Sequence, residues 1–307
     1  MKIDRTENIR PSTLDTFVTV KKCGNMIEVR YMRYMPSGCY INKLNKDCYV
    51  DKRTGEIKEF QHNESRISDK ASVAQSLARL RDLINCNLTN PNNALWVTLT
   101  YAKNMTDTVQ LYEDYRRFWQ RFCYFLKKQG YPKAEYIIAA EPQARGAWHL
   151  HCLFCFPKKS PFISNDDIAR IWGNGFTKTK RLTGIDNIGL YLTCYLGDME
   201  LTESLKAGIT KGRNIREVEI TDETGKKERK AIIKGARLAM YPANFKMYRT
   251  SRKIRRPIIF KTTEGKVQEF IGNTLPTYEK TISITDEAGE VKNIINYRQY
   301  NKAMKEW

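Results

Sequence analysis

The sequence predicts an α+β protein, and three stretches carry the prediction. Residues 134–140 and 152–156 are short, apolar and rich in strand formers, and Pro142-Gln143-Ala144-Arg145-Gly146 between them is turn material, so the two runs read as an antiparallel hairpin. Residues 94–101 form an unbroken apolar run suited to the middle of a sheet. Residues 107–128 place Leu111, Tyr115, Phe118, Phe122 and Phe125 at helical spacing, and a stripe that continuous is a core face rather than a base-stacking platform.

The other elements follow in chain order. Residues 1–65 are expected to be a β-rich N-terminal extension, with strands at 16–20, 27–32 and 48–50 and a turn at Thr54-Gly55-Glu56. A helix begins at Ser68, its N-cap, and carries Val73, Leu77, Leu80 and Ile84 on one stripe. Asn90-Pro91-Asn92-Asn93 breaks the chain before the apolar strand, and Gly130 and Pro132 end the long helix. After the hairpin come a short helix at 165–172, a basic strand at 176–182 and a helix at 186–199. Residues 66–200 thus form the central domain, and residues 201–307 a basic C-terminal region that opens with a charged hairpin at 216–233.

The chain has 307 residues, is 41% hydrophobic and carries a formal charge of +19. A core can be filled, and the excess of cations calls for a polyanionic partner. Nucleic acid is favoured over membrane, because no apolar run is long enough to span a bilayer and the N-terminus lacks the apolar core of a signal peptide; the expected location is the cytoplasm. The eight scattered cysteines are expected to be thiols, and Cys152 and Cys155 face opposite ways on a strand despite their spacing. No acidic residue falls between Glu228 and Glu264, whereas Lys234, Arg237, Arg249, Arg252, Lys253, Arg255 and Arg256 all do, interleaved with Tyr241 and Tyr248. That pattern suggests a phosphate-contacting surface with stacking positions. Lys178, Lys180 and Arg181 on the basic strand would line a groove.

The candidate chemistry sits in the hairpin. His149 and His151 are two of the chain's three histidines, and on a strand they share a face with Cα atoms roughly 6.5–7 Å apart. Glu141, at the end of the preceding strand, would lie opposite and add a carboxylate. Two imidazoles and one carboxylate leave open positions for water or a substrate oxygen, as catalytic metal sites do. Tyr191 and Tyr195 lie one turn apart on the helix predicted at 186–199 and share a face; taken alone they read as core tyrosines. Together with the basic surface, these residues describe metal-assisted attack of a tyrosine on a phosphodiester. Such an exchange conserves bond energy, and the chain has no GxxxxGK[ST] phosphate loop.

In these residues the sequence resembles the rolling-circle replication initiators of the HUH endonuclease superfamily, found in phages and plasmids. Trp96-Val97-Thr98-Leu99-Thr100-Tyr101 is similar to the first motif of that family. Glu141 with Gly146-Ala147-Trp148-His149-Leu150-His151 is similar to the second, and Tyr191 and Tyr195 to the two-tyrosine third motif. The resemblance covers residues 70–200 and touches 234–257. It implies a five-stranded antiparallel sheet backed by helices and a magnesium or manganese ion. It further implies a 5′-phosphotyrosine intermediate at a single-stranded DNA origin, with a 3′-OH left for a host polymerase and unwinding by a host helicase in a bacterial cell. Many relatives carry a lysine near the nucleophile, where this chain has Cys194 and Asp198.

Three rivals stand beside that reading. A transposase or relaxase would use the same chemistry, although relaxases place the tyrosine before the histidines. A zinc hydrolase would present HExxH on a helix, which is absent. In a non-catalytic DNA-binding protein the histidines would be incidental.

Overall fold

The computed structural model describes residues 1–35, 38–61, 70–180, 182, 196–209, 215–221 and 227–303. Its contacts divide the chain into two compact units, one of Met1–Asn63 with Pro257–Trp307 and one of Glu64–Arg256. The first opens with β1 (Lys2–Thr6), β2 (Phe17–Cys23) and β3 (Met26–Met32), followed by a small sheet of β4 (Ile41–Lys43), β5 (Cys48–Asp51) and β6 (Ile57–Glu59).

The second unit begins with α1 (Lys70–Asn87), whose predicted cap at Ser68 lies outside the described residues. There follow β7 (Ala94–Thr100), α2 (Thr108–Lys128), β8 (Glu135–Pro142), β9 (Trp148–Cys155), α3 (Asn165–Trp172) and β10 (Thr177–Lys180). Asp107 caps α2 by accepting from the Val109 and Gln110 amides, and Ser164 caps α3 in the same way through Asp167 N–H. Beyond residue 196 come β11 (Met199–Glu200), the helix Leu201–Lys206, β12 (Ile215–Thr221), β13 (Lys227–Ile233) and β14 (Tyr248–Thr250).

Strands β10, β7, β9, β8 and β14 pair in that order as a five-stranded antiparallel sheet. Side chains alternate across it, and each face is covered by helix. On one face Phe118 and Phe122 of α2 meet Phe154, with ring centroids 6.2 and 4.7 Å away, and Trp172 closes the layer. On the other face Leu80 and Ile84 of α1 lie with Trp96, Ile137 and Leu153. The loop from α3 into β10 passes against the central strand at Gly175, φ +152°, where a Cβ would sit 2.4 Å from the Ala102 nitrogen. Only glycine allows that approach.

Past β14 the chain returns to the first unit with β15 (Ile258–Thr263), the helix Glu264–Ile271, β16 (Tyr278–Thr285) and β17 (Val291–Asn301). The sheet order there is β1-β16-β17-β3-β2-β15, so strands from both chain ends interleave. Val18, Val20, Ile27 and Val29 share a core with Val267, Ile271 and Tyr300, and the Glu264–Arg298 pair is buried beside them at 2.5 and 2.6 Å. Neither end has a core without the other. The expected divisions at 65 and 200 are accordingly not the ones the contacts follow: the basic C-terminal region splits at Pro257, and residues up to Arg256 belong with the central sheet. No helix among the described residues is long and apolar enough to cross a membrane.

Candidate active site

Register decides which side chains share a face of the central sheet. Glu141 pairs with His149 and Ala139 with His151 across β8 and β9, while Thr100 and Thr98 of β7 pair with the same two histidines. At one edge Lys178 and Lys180 pair with Thr98 and Trp96; at the other Tyr248 pairs with Ala139. One face of five strands therefore carries two lysines, Trp96, Thr98, both histidines and Glu141. β9 begins at Trp148, so both histidines lie within the strand, two residues earlier in it than the apolar run alone indicated.

His151 is held at three points. Its Nδ1 is 3.3 Å from Thr98 Oγ1, its Nε2 hydrogen-bonds the Glu141 carboxylate, and its ring lies 5.4 Å from that of Trp96. His149 is different: its Nε2 is buried with no hydrogen-bond partner among the described residues. Burial pushes His149 down to about 4, against the pull of the Glu141 charge, so the ring is neutral near pH 7. Neutral imidazole is the form that binds a metal. Burial alone would push the Glu141 carboxyl up. The hydrogen bond from His151 and the charges of His151, Arg237 and His149 outweigh it and hold Glu141 below the usual carboxylate range.

Arg237 completes the cluster and corrects an expectation. It was expected among the phosphate contacts, yet it is 5% exposed and its guanidinium is spent inside the fold. Nη2 lies 3.0 Å from Glu141 and 2.9 Å from Glu203 Oε2, and Nη1 donates to Glu203 Oε1 at 3.1 Å. Nη1 also donates to the Pro142 carbonyl at 2.8 Å and Nε to that of Asp198 at 3.1 Å. A buried cation between two carboxylates satisfies both, and it leaves no fork for DNA.

The donors suit a divalent cation in kind: two imidazoles, one with a buried orphan nitrogen, and a carboxylate directly across the ladder. They do not form a closed cage. Among the described residues no group of three or more His, Cys, Asp or Glu is arranged to hold a metal ion, and the Glu141 oxygens are engaged by His151 and Arg237.

Tyr191, Tyr195 and Arg181 lie outside the described residues. Leu196, which follows Tyr195, lines a small cavity together with His151, Ala139 and Trp96. Tyr241 fixes it there by directing its hydroxyl at the Ala140 and Leu196 carbonyls, 2.8 and 3.2 Å away. Tyr241 is thus buried and is not a stacking position for bases. Lys234, Arg249, Arg252, Lys253, Arg255 and Arg256 are exposed, the last four on a loop docked to α1 through paired hydrogen bonds between Asn87 and the Arg255 backbone. Thr98 and Trp96 escaped notice in the sequence, although period-two alternation on the central strand puts them beside the histidines. Nothing in the sequence marked Glu203.

Residues 94–200 match the protein-family model described as Replication-associated protein ORF2. No curated protein matches, and no solved structure does. The matched segment runs from β7 to β11 and contains Glu141, His149 and His151, which supports a role in DNA replication.

Proposed function

We propose that the protein is a replication initiator that nicks and rejoins single-stranded DNA by tyrosine transesterification. The observation that carries this reading is the convergence of Glu141, His149 and His151 on one sheet face, beside the residue that follows the tyrosine pair. Tyr191 or Tyr195 would attack the scissile phosphorus through its phenol oxygen. A 5′-phosphotyrosine bond forms as the P–O3′ bond breaks, and the proton lost by the phenol is balanced by one taken up at the leaving 3′-oxygen. His149, His151 and Glu141 would hold a magnesium or manganese ion, which when bound withdraws charge from a non-bridging phosphate oxygen. Thr98 orients the His151 ring, and Arg237 orients the Glu141 carboxylate. Lys178 and Lys180 lie on the same face and suit the incoming phosphates. The free 3′-OH suits extension by a host polymerase with a host helicase.

Cleavage of a labelled origin-containing strand tests the reading. Wild-type protein is expected to cleave it only with manganese or magnesium, and Tyr191→Phe with Tyr195→Phe in one chain is expected to abolish cleavage. Undiminished cleavage by that double variant would remove the tyrosine mechanism.

A further inference from the structure

The sheet's other face carries a second feature. Arg249 pairs with Ile138 and Ile138 with Cys152, so Arg249 points away from the histidines, toward α2. There the first turns of α2 and residues 244–249 border a groove of about 470 Å³, a volume within the range of small-ligand sites. Its floor is aromatic. The Tyr112 and Phe245 rings are stacked with centroids 6.0 Å apart, and Phe245 stacks in turn on Trp148 at 4.8 Å. Tyr112 is locked by its hydroxyl, which donates to the Lys246 carbonyl at 2.7 Å.

Cations line the rim. The Arg249 guanidinium lies 3.4 Å from the centre of the Tyr112 ring, a cation–π stack that holds the fork flat and leaves its N–H edge outward. Arg116, one helical turn beyond Tyr112, and Lys246 are exposed and form no ion pair among the described residues. Glu113 is the one carboxylate lining the groove, against three cations. A stacked guanidinium offers a plane to an unstacked base, and neighbouring cations suit its phosphate. The bases of a duplex are already stacked on one another and present no free face.

We propose that this groove binds a nucleotide of single-stranded DNA, its base on the Arg249–Tyr112 stack and its phosphate on Arg116 and Lys246. It is a holding site on the opposite side of the sheet from the candidate chemistry, reached around the edge strand β14. The proposal shares its partner class with the proposed function but none of its catalytic steps.

Fluorescence anisotropy of a labelled oligothymidylate, in EDTA and over a salt series, tests it apart from cleavage. Arg249→Gln is expected to weaken binding about tenfold. Arg116→Gln with Lys246→Gln is expected to weaken it and to flatten the slope of log K against log salt by about 0.7, one phosphate contact on a single strand. Lys127→Gln with Lys128→Gln removes equal charge from the far end of α2 and is expected to leave both quantities close to wild type. All are surface changes, and circular dichroism checks the fold. Groove variants that bind no worse than this control would overturn the proposal. So would equal losses for a duplex or for polyglutamate, which would make the groove a general anion surface.

Discussion

Replacing Arg237 by alanine leaves Glu141 and Glu203 close together with no cation between them, and removes the donors to the Pro142 and Asp198 carbonyls. The expected loss is about 3 kcal/mol or more in chemical denaturation, with partial recovery in Arg237→Lys; a loss under about 1 kcal/mol would show that the carboxylates are satisfied otherwise. His149 should behave in the opposite way. Its buried Nε2 has no partner among the described residues, so His149→Leu is expected to leave stability unchanged or raised while weakening manganese binding at least about tenfold by calorimetry. Weakened folding with unchanged manganese affinity would mark His149 as structural. At this scale the sequence was a good guide to the metal-type donors, because spacing on a strand decides which side chains share a face. It misjudged Arg237 and Tyr241 because a run of one charge sign shows nothing of which members turn inward.

At the level of elements, periodicity was legible where burial is one-sided. The α2 stripe and the apolar β7 run became the two halves of the core, with Leu111, Tyr115, Phe118 and Phe122 all buried. Phe122 lies 4.7 Å from Phe154, and Phe122→Ala is expected to cost about 3–5 kcal/mol in thermal or chemical unfolding. Gly175 is a sharper test, since a methyl group there meets the β7 backbone end itself. Gly175→Ala is expected to weaken the β10–β7 pairing, read as faster hydrogen exchange at residues 177–180, and unchanged protection would show that the loop can move aside. The hairpin between β12 and β13 was also visible in the charge alternation, whereas the start of β9 was not, because its histidines are polar residues in a buried strand.

Across the whole molecule, the division of the chain was the least legible feature. Strand patterns reveal partners only within short reach, and β15, β16 and β17 pair with strands more than two hundred residues earlier. Truncation after Arg256 is therefore expected to unfold residues 1–63, seen as rapid proteolysis there, while residues 70–256 keep a cooperative transition. Retained protection of residues 1–63 would contradict the shared core. The central sheet, its three donors and the tyrosine pair make one testable whole. Purified protein incubated with circular single-stranded DNA, with manganese or with EDTA, should yield a covalent protein–DNA adduct only with the metal, and peptide mass analysis should place the phosphodiester on Tyr191 or Tyr195. Metal-dependent cleavage with no adduct on either tyrosine would contradict transesterification.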